Sequence, residues 1–182
     1  MELNQSYAVV KRFMQYVTSQ SRANLTRGKN NVSKSLYSSI RGEIINEKNY
    51  FIVGFRMEQY GQYLDEGVKG AFPSMVKNGK QKAPNSRFMF TNKRPPAKPL
   101  QEWAKRRNIR LRDEKGKFKK GSYKTLGFII ANRIYAQGIK PTLFFTKPYE
   151  AGFKKYIDNE LVNAFGADVE TIVDYNLKDA TK

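Results

Sequence analysis

The sequence predicts an α+β fold, a small antiparallel sheet packed by an N-terminal helix and C-terminal helices, with a long basic insertion. Amphipathic helical patterns at residues 5–26 and 122–137 enclose two short β-rich runs at 40–45 and 50–55. Between residues 69 and 121 the chain is instead rich in lysine, glycine and proline. We therefore expect a single domain, residues 1–182, that carries a basic insertion at 69–121.

The N-terminal helix has one apolar face. Its large side chains recur at three- and four-residue steps, at Tyr7, Val10, Phe13, Met14 and Val17. Such a face predicts packing on the sheet, with a subunit contact as the alternative. After a polar break, residues 32–40 are either a short helix or an irregular lead-in to the first strand.

The two β-rich runs form a hairpin pattern with turn residues at 46–49. Gly54 inside the second run predicts a bulge or a close backbone approach. A short amphipathic helical turn follows and ends at a glycine, which makes a rigid corner after the strand. We predict that this corner supplies structural and subunit contacts, through Tyr60, Tyr63, Glu66 and Gly67.

Within the insertion, three pieces have a pattern. Residues 87–90 predict a short strand that anchors the loop, although Phe88 and Phe90 could instead stack on bases. Pro99 opens a short helix over residues 100–107, with Leu100 and Trp103 directed inward. Residues 110–121, the basic arm, are glycine-punctuated and rich in lysine and arginine, and we expect the arm to be mobile in the free protein.

The C-terminal part returns to regular patterns. Residues 122–137 form the clearest helix, followed by Gly138. Residues 143–145 predict a short buried strand. A last helix is expected over 149–165, ended by Gly166, with a further helix at 168–175 and frayed final residues.

Two residue types are missing from the sequence, cysteine and histidine. Their absence excludes disulfides, thiolate nucleophiles, histidine-based triads and histidine–zinc sites. Carboxylate–metal chemistry at Asp65 and Glu66, or at Asp113 and Glu114, is disfavoured because adjacent helical residues point in different directions. We expect no enzymatic activity, no cofactor and no metal, and no run of the sequence approaches the length of a membrane span.

The charge is concentrated in one part of the chain. The formal net charge is +18, and residues 69–124 hold 18 basic residues against three acidic ones. Such a segment is either a solvated loop or a surface that meets a polyanion, and its charge density favours a polyanion such as nucleic acid. The predicted contact residues are Lys105, Arg106, Arg107, Lys117, Lys119 and Lys120.

The order of the motifs resembles the small head-to-tail connector proteins of tailed bacteriophages, the neck or tail-completion family. The matching residues are Leu36, Ser39, Ile40, Tyr60, Tyr63, Glu66, Gly67, Pro95, Pro96, Trp103, Ile109, Gly138, Ile139, Pro141 and Phe145. The resemblance implies a structural virion protein, made in the host bacterial cytoplasm and located in the neck or tail region. It also implies a homo-oligomeric ring of six or twelve subunits around duplex DNA, in contact with the portal or with adjacent neck and tail proteins.

A free-standing non-specific DNA-binding protein remains the alternative. In that case the helix at 100–107 would present Trp103, Lys105, Arg106 and Arg107 to a groove. A helix of about two turns is short for groove reading, and the connector function is therefore preferred.

Overall fold

A computed structural model of the protein describes residues 3–28, 34–46, 50–71 and 81–180. The architecture is α+β, as the sequence predicts, with helices and two two-stranded antiparallel sheets. The chain forms two compact units: one comprises Met1–Gly61 and Leu143–Lys182, and the other comprises Gln62–Thr142. In the part of the chain that the structure describes, no helix has the length and apolar character needed to cross a bilayer.

The first unit combines the N-terminal helix, a hairpin and the C-terminal helices. Its elements in chain order are α1 (Asn4–Arg27), α2 (Ser35–Ser39), β1 (Arg41–Asn46), β2 (Phe51–Arg56), α6 (Thr146–Gly152), a π-helical segment (Phe153–Leu161) and α7 (Val162–Ala180). The helix α3 (Tyr60–Glu66) follows β2 in the chain. The predicted hairpin is confirmed, with Ile44 opposite Val53. Its predicted turn lies mostly outside the described residues.

Aromatic side chains hold the first unit together. The ring of Phe13 on α1 meets Phe55 of β2 at 5.9 Å, Tyr149 of α6 at 5.7 Å and Phe153 at 6.4 Å between centroids, all in edge-on arrangements. Such edge-to-face pairs add to the free energy of apolar burial. The predicted apolar face of the N-terminal helix therefore packs on the hairpin and on the C-terminal helices.

The second unit consists of the region that follows the corner. Its elements are β3 (Val68–Lys69), α4 (Ala97–Arg106), α5 (Tyr123–Gln137) and β4 (Gly138–Ile139), and β3 pairs with β4. The strand predicted at residues 87–90 is present as a single bridge between Met89 and Lys69. The helix α5 packs against α4 in this unit.

Four local predictions were wrong. Gly54 pairs regularly with Glu43 and has open space where a side chain would be, so the ladder has no bulge there. Residues 143–145 form a turn and not a strand, with Phe144 buried and its carbonyl held by Asn24 of α1. Trp103, predicted to point inward, is 38% exposed, whereas the adjacent Ala104 is buried.

Gly166 does not end the last helix, and this is the fourth prediction that was wrong. The helix α7 continues through it to Ala180. Ala164 and Asp168 are buried on either side of Gly166. This packing outweighs the weak helix propensity of a single glycine, which is about 1 kcal/mol less favourable than alanine.

Candidate nucleic-acid interface

The basic surface begins where α4 ends. The Ile109 amide donates to the Ala104 carbonyl at 2.9 Å, and the Asn108 amide donates to the Lys105 carbonyl at 3.0 Å. Asn108 has a φ of 49°. These bonds and this left-handed residue form a Schellman ending, which satisfies the last helical carbonyls and turns the chain sharply. The turn leads directly from the cationic end of α4 into the basic arm.

The basic arm, which the sequence led us to expect to be mobile, folds as a tight hairpin. The Gly116 amide donates to the Asp113 carbonyl at 3.0 Å, and the Asp113 amide donates to the Lys117 carbonyl at 2.9 Å. Gly116 has a φ of 78°, which glycine adopts without a side-chain penalty. A type I turn closed by such a glycine is a common hairpin loop. The Asp113 carboxylate also accepts from the Lys117 amide at 2.8 Å, so this acidic residue serves the turn.

An exposed aromatic ring lies between two arginines on the arm. Phe118 is paired across the hairpin with Arg112, whose guanidinium carbon lies 4.4 Å from the ring centroid. The guanidinium of Arg110 lies 5.9 Å from the same centroid. Alternate residues of a strand share a face, which brings both arginines to this ring. Phe118 nevertheless remains 64% exposed.

A groove runs between the arm and the start of α5. It has a volume of about 500 Å³ and is lined by Ile109, Arg110, Leu111, Phe118, Lys119, Lys120, Gly121, Ser122, Tyr123 and Leu126. The Ser122 hydroxyl caps α5 by accepting from the Thr125 amide at 3.1 Å. The groove thus joins cationic side chains, one exposed ring and a helix N-terminus, a combination that suits an anionic polymer.

Five of the predicted contact residues lack an acidic partner among the described residues. In the described ranges, none of Lys105, Arg106, Lys117, Lys119 and Lys120 forms an ion pair. Residues 105–124 contain ten basic residues and two acidic ones, a net charge of +8. Uncompensated charge of this density attracts phosphate groups and releases their counterions.

The structure brings some of the predicted contact residues together. Lys119 and Lys120 line the groove, and Lys117 lies on the same hairpin next to its turn. Lys105 and Arg106 lie at the end of α4, and Arg107 directly follows them, outside the groove lining.

Sequence reasoning missed Arg110, Arg112 and Phe118 as interface residues. The signal that identifies them is Asp113 followed three residues later by Gly116, between two alternating segments. That spacing is typical of a three-residue hairpin loop and sets the cross-strand pairing of the arm. With the pairing known, Phe118 falls opposite Arg112.

Two of the corner residues, Tyr63 and Glu66, contact Phe88 and Arg87 of the second unit through a ring pair and an ion pair. The rings of Tyr63 and Phe88 meet edge-on at 4.6 Å between centroids. The carboxylate of Glu66 pairs with Arg87 at 2.7 Å, and the Arg87 guanidinium lies 4.8 Å from the Phe88 centroid. Phe88 thus contacts both Tyr63 and Arg87 within the chain.

The other two predicted corner residues have different environments. Gly67 ends α3 with a φ of 74°, and its carbonyl accepts from the Ser86 hydroxyl at 2.7 Å. Tyr60 is exposed at the start of α3. The predicted corner is therefore present, with Gly67 at its turning point.

Three of the carboxylates considered as metal ligands are either buried or bound to other groups of the chain. Asp65 is buried, Glu66 binds Arg87 and Asp113 serves its turn. Within the described residues no group of three or more carboxylates could hold a metal ion.

Comparison with known proteins returned no match to a family model, a curated protein or a solved structure. The function of this chain is therefore inferred from the charge and geometry of its own surfaces. The basic arm and the adjoining end of α4 are the surfaces with the most distinctive chemistry.

Proposed function

We propose that the chain is a structural subunit of a ring through which duplex DNA passes, as in the head-to-tail connector of a tailed bacteriophage. The observation that carries this proposal is the uncompensated cationic surface at the end of α4 and along the basic arm. It offers many charges and few groups positioned to read bases. Contacts of that kind bind any DNA sequence.

The cationic residues lie on a backbone of defined geometry, and this supports the proposed function. The Schellman ending of α4 and the glycine turn of the arm hold the backbone of the cationic segment in defined geometry. The lysine side chains retain freedom at their ends because they lack carboxylate partners in the described chain. A surface that follows phosphates without a preferred register lets DNA slide, and sliding is what passage through a channel needs.

Exposed apolar side chains on several elements support the assembly part of the proposal. They occur on the hairpin, on α5 and on α7, at Ile45, Ile52, Phe128, Ile129, Val162, Phe165, Val169 and Val173. Contiguous exposed apolar surface on a folded protein commonly marks contact with another protein. A ring subunit has two neighbours and needs such surfaces.

One experiment tests both parts of the proposal. The mass of the purified protein is measured by light scattering, with and without duplex DNA, at low and high salt. A closed assembly of several subunits that binds duplex DNA of any sequence is the expected result. A protein that never binds duplex DNA at low salt would contradict the proposal.

A second candidate is a free-standing non-specific DNA-binding protein. The exposed ring of Phe118 between Arg110 and Arg112 favours it, because aromatic rings beside cations are typical of single-strand stacking surfaces. A monomer that binds single strands more tightly than duplex would support this candidate over the ring.

A further inference from the structure

Two helices of this chain expose apolar faces with opposite charges at their borders. One face lies on α5 in the second unit, and the other lies on α7 in the first unit. Each is a single exposed patch on a regular helix, so the positions of its side chains follow directly from the helical repeat.

The face on α5 has cations around an apolar centre. Phe128 and Ile129 are 53% and 45% exposed. Lys124 lies one turn before Phe128 and Arg133 lies one turn after Ile129, so the two cations flank the apolar centre at its two borders. We call these residues, together with Arg94, the basic face.

Arg94 is held in position on the basic face. Its guanidinium donates to the Asn132 side-chain carbonyl at 2.7 Å, and its central carbon lies 5.9 Å from the Phe128 centroid. Asn132 lies one turn after Phe128 on α5, so the Arg94 guanidinium that binds Asn132 lies beside the Phe128 ring. Arg94 is also exposed to solvent. The charge next to the apolar centre is thus pre-organised for an acidic partner.

The face on α7 has carboxylates beside an apolar row. Phe165, Val169 and Val173 follow one another at four-residue steps and are 53%, 39% and 48% exposed. Glu170 and Asp174 form the adjacent row. The segment 156–177 contains five acidic residues and no basic one, in a chain whose net charge is +18. We call the apolar row, Glu170 and Asp174 the acidic face.

We propose that the acidic face of one copy of this chain binds the basic face of the next copy. The pairing places apolar centre against apolar centre and carboxylates against cations. The dimensions match, because residues 124–133 and residues 165–174 each span about 14 Å of helix at 1.5 Å per residue. Every copy of the chain carries both faces, so a second copy provides the partner surface for each.

The charges also decide the symmetry of the contact. Two acidic faces, or two basic faces, would bring like charges together and repel. The contact is therefore between different surfaces of the two copies, which leaves the basic face of one copy and the acidic face of the other unused. Such head-to-tail contacts produce a ring when the rotation between copies closes. This inference rests on the proposed function, since it names the surfaces through which the ring forms.

The test uses two variants of the full chain, each lacking one face. Phe128→Glu with Ile129→Glu removes the basic face, and Phe165→Glu with Val173→Glu removes the acidic face. All four side chains are substantially exposed, so the fold should be retained, which circular dichroism checks. Thr171→Glu is the matched control, because it adds a carboxylate to an exposed position of α7 outside the apolar row.

Masses are measured by light scattering at physiological ionic strength, for each protein alone and for an equimolar mixture of the two variants. The wild type and the Thr171→Glu control are expected to assemble, and each double variant alone to be monomeric. The mixture is expected to form a heterodimer and no larger species, because it contains one intact acidic face and one intact basic face per pair.

The outcomes separate this inference from the proposed function. Assembly retained by either double variant, or a mixture that stays monomeric while the wild type assembles, would overturn the pairing of the two faces and leave the ring standing. A wild type that is monomeric at every concentration, with and without duplex DNA, would overturn the pairing and the ring together.

Discussion

The carboxylate of Asp168 caps the N-terminus of α1 from the far end of the chain. One of its oxygens accepts from the Ser6 amide at 2.8 Å and from the Ser6 hydroxyl at 2.7 Å, and the other accepts from the Gln5 amide at 3.1 Å. The residue before α1, Leu3, offers no side-chain cap. A residue of α7 therefore satisfies helix donors that capping residues usually satisfy locally, and its negative charge favours the helix dipole.

The first prediction concerns the pH dependence of this cap. Burial alone would raise the pKa of Asp168, but the hydrogen bonds from Ser6 and Gln5 outweigh it and lower the pKa from its ordinary value of 3.8. Because the folded-state pKa is lowered, the stabilisation by the cap is fully present above the ordinary pKa of the carboxyl group and is lost as pH falls through the folded-state pKa. Asp168→Asn should therefore lower the free energy of unfolding by about 1 to 3 kcal/mol near neutral pH.

Urea unfolding followed by the far-UV circular dichroism signal of the helices measures this effect. The difference between the wild type and Asp168→Asn should shrink as the pH is lowered below 4. Asp158→Asn, which changes an exposed carboxylate of the same unit outside the acidic face, is the control and should change little at any pH. A difference between the wild type and Asp168→Asn that stays constant down to pH 2 would show that the charge of Asp168 is not what stabilises α1.

The second prediction concerns the phosphate contacts of the basic arm. Replacing Lys117, Lys119 and Lys120 together by glutamine should reduce the slope of log K against log salt for duplex DNA by about 2 to 3, because each neutralised phosphate contributes about 0.9. Titrations at several salt concentrations measure the slope. A triple variant in the first unit, with glutamine at the exposed positions Lys11, Lys147 and Lys154, removes the same charge. Equal slopes for the two variants would contradict a localised interface.

The third prediction separates the two functional candidates through Phe118. If bases stack on its ring, Phe118→Leu should weaken single-strand binding by about 1 to 3 kcal/mol and leave duplex binding nearly unchanged. If the arm only meets phosphates, both affinities should stay within a factor of about two, since leucine keeps the apolar bulk and removes no charge. Fluorescence anisotropy with labelled single-stranded and duplex oligonucleotides distinguishes these results.

The fourth prediction contrasts two glycines with similar backbone angles. A Cβ at Gly67 would lie 2.5 Å from the Ile139 carbonyl oxygen and 2.8 Å from the Pro141 nitrogen, whereas a Cβ at Gly116 meets nothing within 4 Å. Gly116→Ala should lower the free energy of unfolding by about 1 to 2 kcal/mol, the cost of a left-handed conformation. Gly67→Ala should lower it by more, because backbone must also move.

The single tryptophan gives a direct measurement of the fourth prediction. Trp103 lies on α4 in the second unit, so its fluorescence reports unfolding of the unit that contains both glycines. Denaturant titrations of the two variants compare their midpoints. A larger decrease in the midpoint for Gly116→Ala than for Gly67→Ala would contradict the prediction, because it would mean that the backbone around Gly67 moves easily to accept a side chain.

Much of the fold was predictable because its signals are local. The apolar steps of α1, the two β-rich runs of the hairpin and the capped pattern of α5 depend on the side-chain repeat of a helix or a strand. Gly67 and Gly138 were predicted as helix ends, and both have a positive φ in the structure. The position of the cationic segment follows from composition alone.

The predictions that failed depend on what a segment packs against. The sequence of residues 143–145 is that of a buried strand, yet no described strand pairs with it, and Phe144 is buried in a turn. Gly166 lies inside a helix because Ala164 and Asp168 are buried on both sides of it. Local propensities differ by about 1 kcal/mol or less per residue, so tertiary contacts readily override them.

The α+β class, the main helices, the hairpin, the absence of cysteine and histidine chemistry and the place of the charge all follow from the sequence. The packing of α5 with α4, the capping of α1 by Asp168 across 162 residues and the position of Arg112 over Phe118 are seen only in the folded protein. Periodicity and charge are properties of neighbouring residues, whereas a cap or a stacked ring depends on which distant groups folding brings within about 3 to 6 Å.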